Sequence, residues 1–223
     1  MGAGKVPSVS TRVLLTGFEP FGGEAVNSSW EAVTLAAAEA PPGMNLTATR
    51  LSCAFGTALD ELRAAIARTE PDLVLCTGQA GGRPDLTVER VAVNVADARI
   101  PDNAGRQPID EAVVGAGPAG YFAALPVKAC VAAARGAGVP ASVSQTAGTF
   151  VCNHVFYGLM HLIATERPAL RGGFVHVPYT PEQTLGTARP SLPSSLAARG
   201  LLAVLSTAAS RADDIRMAGG TTH

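Results

Sequence analysis

Lysine is nearly missing from this 223-residue chain: Lys5 and Lys128 are the only two, and every other basic residue is arginine. The 17 Lys and Arg are balanced by 18 Asp and Glu, and the charges, 16% of residues, form no run. A phosphate-tracking surface therefore has no footing, which excludes nucleic acid as an expected partner. No apolar run approaches the roughly 20 residues that span a bilayer. The opening stretch MGAGKVPSVSTR lacks an apolar signal core, so a cytoplasmic protein without a membrane segment is expected. Cysteine is sparse as well: Cys53, Cys76, Cys130 and Cys152 are 23, 54 and 22 residues apart with no CxxC pair. That spacing excludes a dense disulfide framework and points to reduced thiols. Metal-binding clusters are also missing. His154 and His161 are seven apart, about 10.5 Å along a helix axis, too far to share an ion, so they read as surface or half-buried helix residues and no metal site is expected.

What is present is a 47% hydrophobic chain of a size suited to one domain over residues 1–223, with residues 1–10 and 218–223 read as flexible ends. Val13–Gly17, a short apolar run, reads as a strand, and FEPFGGEAVN as the loop that follows it. Ser28-Ser29-Trp30-Glu31 forms a capping-box pattern, predicting a helix through Ala40. Residues 46–53 read as a strand, and the spacing of Phe55, Leu59, Leu62 and Ile66 predicts an amphipathic helix that Pro71 ends. Asp72–Thr77 reads as a buried strand and Val88–Val95, which alternates, as another. Tyr121–Arg135 reads as helical, kinked or started by Pro126. A strand near 142–145, a helix over 151–165, a strand over 174–177 and a helix over 196–209 complete the chain. This alternation predicts an α/β fold, a largely parallel sheet with helices on both faces and ligands at the carboxyl ends of strands. Gly115–Gly120 spells GAGPAG with a helix expected after it, but no acid lies between Glu111 and Glu166 to hold a ribose. A plain turn is the better reading than a dinucleotide fingerprint.

Three side chains suggest chemistry. Cys152 follows the turn-forming stretch SQTAGT and falls at the start of a helix, where free N–H groups and the helix dipole are expected to favour thiolate. His176 lies in the strand GGFVHVPY. Glu89 shares the parity of Val91, Val93 and Val95, so its carboxylate is expected on the apolar side, where it needs a partner. Thiol, imidazole and buried carboxylate would make a nucleophile, a base and an orienting group if the fold brought them together.

These residues sit in four long blocks: VLLTGFEPFGGEAVNSSWEAV, GQAGGRPDLTVERVAVNVADARIPDNAGRQP, SQTAGTFVCNHVFYGL and GGFVHVPYTPEQT. In their order and spacing the chain resembles the pyroglutamyl peptidase I family of cysteine peptidases. The resemblance implies a phosphorylase/hydrolase-like three-layer α/β/α sandwich with a mixed, largely parallel sheet. It further implies removal of an amino-terminal pyroglutamyl residue from peptides, no cofactor, and a homotetramer. Catalytic residues then fall on Glu89, Cys152 and His176, with Arg99 and the Cys152 N–H at the oxyanion. Phe18, Phe21, Asn27, Gln79, Phe150 and Val151 fall on the lactam pocket. Two other readings are a different enzyme on the same fold, which would not need Cys152, and a non-catalytic pyroglutamyl-binding protein.

Overall fold

A computed structural model of the chain describes residues 10–220; the expectations for residues 1–9 and 221–223 lie outside the described residues. Strand β1 (Thr11–Phe18) is buried from Val13 onward, and β3 (Leu73–Gln79) is buried at every position. Such unbroken burial is what a strand covered on both faces requires. β2 (Met44–Leu51) flanks β1, and the sheet continues through β8 (Arg171–Val177), β4 (Leu86–Glu89) and β7 (Ala141–Ser144), in the order β2-β1-β3-β8-β4-β7. Four of the five neighbouring pairs are parallel, and β4 with β8 is the antiparallel one. The largely parallel sheet expected from the alternation is therefore present, and it is mixed, as the resemblance implies.

Helices α1 (Ser28–Ala38), α3 (Val127–Gly136) and α5 (Ser194–Ser210) cover one face, with Val33, Val131 and Leu201 in their shared core. Helices α2 (Thr57–Thr69) and α4 (Val151–Thr165) cover the other, around Leu62, Phe156 and Phe174. They meet closely because α4 carries Gly158, where a Cβ would collide with the methyls of Leu59. No helix among the described residues is long and apolar enough to cross a membrane.

Several expectations are corrected. The cap of α1 is Asn27, whose side chain accepts from the Ser29 N–H at 3.0 Å; Glu31, which the capping box assigned to Ser28, instead accepts from Ser194 Oγ at 2.8 Å. The stretch 88–95 is not one strand. It breaks at Arg90, and β5 (Val91–Val93) leaves the main sheet to pair with β6 (Gly120–Phe122). The expected helix over 121–135 likewise divides into β6 and α3, because Pro126 lacks the N–H that a helix interior needs and caps α3 instead. GAGPAG thus leads into a strand rather than a helix, which removes the dinucleotide geometry. At the tail, residue 219 is tied down, its carbonyl accepting from Arg90 at 3.2 Å and from Gln145 at 3.3 Å.

Candidate active site

β8 and β4 are paired so that His176 stands opposite Thr87. Glu89 is two residues further along β4 and so on the same face of the sheet. The two side chains meet: His176 Nδ1 is 2.8 Å from Glu89 Oε1. Glu89 is wholly buried, and burial alone would raise its carboxyl. The hydrogen bond from His176, the charge of His176 and the charge of Arg83 outweigh burial and hold it below its ordinary value. Arg83 Nη1 lies 2.6 Å from the same Oε1. A carboxylate can only accept, so Nδ1 carries the proton. Burial also depresses His176, against the opposing pull of Glu89, and the imidazole rests neutral with its Nε2 lone pair free. That nitrogen has no hydrogen-bond partner among the described residues. The parity reading of Glu89 reached a correct burial by a wrong route, since Val91 and Val93 belong to the other sheet.

Cys152 reaches this pair from α4. Phe150 caps the helix with extended backbone (φ −90°, ψ −163°), so the N–H groups of Val151 and Cys152 have no acceptor four residues back. Gly78 on β3 is in register with His176, and side chains in register on adjacent strands share a face. A Cβ built on Gly78 would be 2.6 Å from Cys152 Sγ. The sulfur therefore fills space that a side chain at position 78 would need, on the face of the sheet that carries His176. Burial pushes the Cys152 thiol well above its ordinary range, with the negative charge of Glu89 adding to it and the positive charge of Arg83 opposing. This reverses the expectation from the helix end. The thiol is neutral at rest, so a neighbouring base is a requirement.

Cys152 and His176 open onto a cavity of about 290 Å³. Phe21 and Phe150 stand on its wall with ring centroids 6.0 Å apart, and Gln79 lies beside them. The Gln79 carboxamide is fixed by the Ser28 N–H, which donates to its Oε1 at 2.9 Å. Two segments close the remaining side, one with Asp97, Arg99 and Ile100, the other with Ala147 and Thr149. They are laced together: the Asp97 N–H donates to the Thr149 carbonyl at 3.0 Å, and Thr149 Oγ1 donates to the Asp97 carbonyl at 2.7 Å. Asn153, wholly buried beside the thiol, bonds the Val93 N–H and the Val93 and Val95 carbonyls at 2.9 to 3.0 Å. Arg99 is exposed at the mouth and has no salt bridge among the described residues.

Of the residues expected in the pocket, Phe21, Gln79, Phe150, Arg99, Cys152 and His176 line it, and Glu89 stands behind His176. Phe18, Asn27 and Val151 do not. Phe18 is 2% exposed and packs on Phe174, Val151 is fully buried in the same core, and the Asn27 amide is consumed by capping α1 and by the Glu19 carbonyl at 2.9 Å. Reading the chain missed Asp97, Ile100, Ala147, Thr149, Asn153, Gly78 and Arg83. All lie in or beside the quoted blocks, but nothing local marks their direction. His154, expected on the surface or half-buried, is buried, accepts from the Gly56 N–H at 3.2 Å and packs edge-on against Phe55. His161 instead meets Tyr121 Oη at 2.9 Å.

Comparison with known proteins gives a consistent result. The profile of the family described as pyroglutamyl peptidase matches residues 11–211. The pyrrolidone-carboxylate peptidase of Streptomyces coelicolor is 64% identical over 96% of this chain and 100% of its own length. That of Erwinia tasmaniensis is 55% identical over 95% and 99%. Among solved structures, pyroglutamyl peptidase I from Bacillus amyloliquefaciens superposes with a TM-score of 0.91 at 48% identity, covering 94% of this chain and all of that one. A mutant pyrrolidone carboxyl peptidase from Pyrococcus furiosus gives 0.86 at 34%, covering 89% and 98%.

Proposed function

Since the chain belongs to the pyroglutamyl peptidase family, we propose that it removes the amino-terminal pyroglutamyl residue of peptides by thiol chemistry on Cys152. The observation that carries this reading is the seat of the Cys152 sulfur on Gly78, beside an in-register His176 whose far nitrogen is held by Glu89. His176 Nε2 takes the thiol proton as sulfur attacks the pyroglutamyl carbonyl carbon. The oxyanion is met by the Cys152 backbone N–H at the start of α4, with Arg99 as a second donor from the mouth. The imidazolium then protonates the departing amine as the C–N bond breaks, leaving a thioester. Water, deprotonated by the same nitrogen, hydrolyses the thioester and releases pyroglutamate. Glu89 keeps the proton on Nδ1, so that Nε2 is the nitrogen that works. No step requires a cofactor.

The five-membered lactam is uncharged, with one N–H and one C=O. Phe21 and Phe150 offer it apolar walls. The Gln79 amide, oriented through its oxygen, has a nitrogen without a partner among the described residues. A prolyl residue lacks the ring carbonyl, would leave such a donor unpaired, and is rejected on that account. Within the same reading the chain is one peptidase domain working as a cytoplasmic homotetramer. All four cysteines are free thiols, as a reducing compartment favours. The exposed Ile109, Phe122 and Leu185 are side chains an interface would cover; sedimentation at equilibrium tests the assembly.

The decisive experiment is hydrolysis of a fluorogenic pyroglutamyl amide beside its prolyl counterpart by wild type, Cys152→Ala and iodoacetamide-treated enzyme. Release from the pyroglutamyl compound alone, lost by about three orders of magnitude or more in the mutant and after alkylation, is expected. Turnover that survives in Cys152→Ala would overturn the thiol mechanism.

A further inference from the structure

Glu89 is asked to do two things that conflict. A carboxylate buried against an imidazole orients it, yet by its charge it also favours the protonated ring, which cannot accept a proton from a thiol. The structure contains a counterweight. Arg83, in the turn between β3 and β4, directs Nη1 at Glu89 Oε1, the same oxygen that accepts from His176, at 2.6 Å. Nη1 also reaches the hydroxyls of Thr87 and Ser144. The other nitrogen, Nη2, donates to the Thr146 carbonyl at 2.9 Å. Thr146 precedes Ala147 in the loop that lines the cavity and delivers Cys152. One guanidinium thus joins the acid side of the site to the loop carrying the nucleophile. The other oxygen of Glu89, Oε2, is buried with no hydrogen-bond partner among the described residues, so the sharing of Oε1 determines how the carboxylate charge is spent.

We propose that Arg83 is a positioning residue for this reaction, which divides the Glu89 carboxylate with His176 and thereby keeps the imidazole in its neutral, proton-accepting form. The role rests on the assignment of Cys152, His176 and Glu89 made above. The groups facing His176 are few: Glu89 from β4, Arg83 from the preceding turn, Cys152 from α4, and Asp97 and Arg99 from the segment closing the cavity. The thiols of Cys53 and Cys76, behind Cys152, are pushed by burial to about 12 and stay neutral. Arg83 is therefore the cation bonded to the carboxylate, while Arg99 stands at the solvent-exposed mouth. Its charge acts on both partners in one direction, opposing protonation of His176 and easing ionisation of Cys152. Removing it moves the acid limb of activity to higher pH whichever of the two protons that limb reports.

The test measures kcat/KM on the pyroglutamyl amide and, separately, the rate at which iodoacetamide alkylates the thiol, across about pH 5 to 9, for wild type, Arg83→Gln and Arg83→Lys. In Arg83→Gln the rates near pH 6 fall about tenfold further than those near pH 8, in both assays, as a displaced acid limb requires. Arg83→Lys keeps the charge, so its acid limb stays in place even if its rate falls uniformly. An Arg83→Gln profile lowered evenly at every pH would overturn the proposal and leave Arg83 a purely structural strut. So would an acid limb displaced in Arg83→Lys, which decides the matter alone if the glutamine variant does not fold. Turnover persisting in Cys152→Ala would strike the nucleophile assignment itself, independently of either arginine variant.

Discussion

The sheet carries a charged cluster at each end, and the two differ in kind. Where β1 and β3 begin, Arg12 meets Asp72 at 3.2 Å and Glu70 at 3.6 Å, with all three side chains about half exposed or more. Water competes for every one of these groups, and the pairs only trim the surface. Where β3 and β8 end, Glu89 is wholly buried, His176 is 4% exposed, and Arg83 is the one member with appreciable access to solvent. There each charge must be answered within the protein, and one oxygen of Glu89 has no partner among the described residues. The surface cluster tolerates rearrangement, whereas the buried one has a single workable geometry. That rigidity keeps the proton on Nδ1 and leaves Nε2 free to accept one.

The contrast is sharpest where fit matters most. In Gly78→Ala the new methyl falls 2.6 Å from the Cys152 sulfur and 3.0 Å from the Phe174 ring, so the sulfur must move. A nucleophile displaced by about 1 Å costs about a hundredfold. We expect kcat/KM to fall by two to three orders of magnitude with the fold kept, as circular dichroism and the unfolding midpoint will show; near-normal turnover would mean the site is as forgiving as the surface cluster.

A second, smaller effect concerns His154, one turn from the nucleophile's end of α4. Burial, helped by Arg106, depresses it from 6.5 to about 4. Between those values the unfolded chain binds a proton that the folded chain refuses, so stability is complete above about pH 6.5 and is lost as the pH falls toward 4. Over that full displacement the loss attributable to this residue is about 3 kcal/mol. His154→Gln, which keeps an acceptor for the Gly56 N–H, flattens the curve of unfolding free energy against pH in that window. Parallel curves for the two proteins would remove His154 from the acid response.

The smallest effect belongs to the other end of the sheet. Arg12→Ala leaves kcat/KM unchanged and moves the unfolding midpoint little, and the small shift shrinks further in salt. A large loss of activity there would break the distinction between the two clusters.

Elements with a strong local signal were legible from the chain. Helix α4 runs over 151–165 as its pattern predicts, and β3 and β8 stand where apolar runs place them. Local reading failed where two local signals competed. Asn27 and Ser28 are both competent caps, and the capping box favoured the wrong one. Val88 to Val95 alternates throughout, yet the chain changes sheets at Arg90, because a period of two records burial on one side and not the identity of the partner strand. Phe18 and Phe21 look equivalent in FEPF, but the first is the last residue of a strand covered on both faces and the second follows it into the loop over the cavity.

The sequence alone determined the class of fold, an even charge balance and, through its resemblance to a family, which thiol, imidazole and carboxylate to propose for catalysis. Only the tertiary structure decided that Glu89 meets His176 across 87 positions, that Gly78 makes room for the sulfur, that burial rather than the helix end governs the thiol, and that Arg83 shares the carboxylate. Helical and strand periods are set by neighbours a few residues away and can be read from them. Register, solvent exclusion and the balance of buried charge are set by groups far apart in the chain, and exist only once the sheet has closed around them.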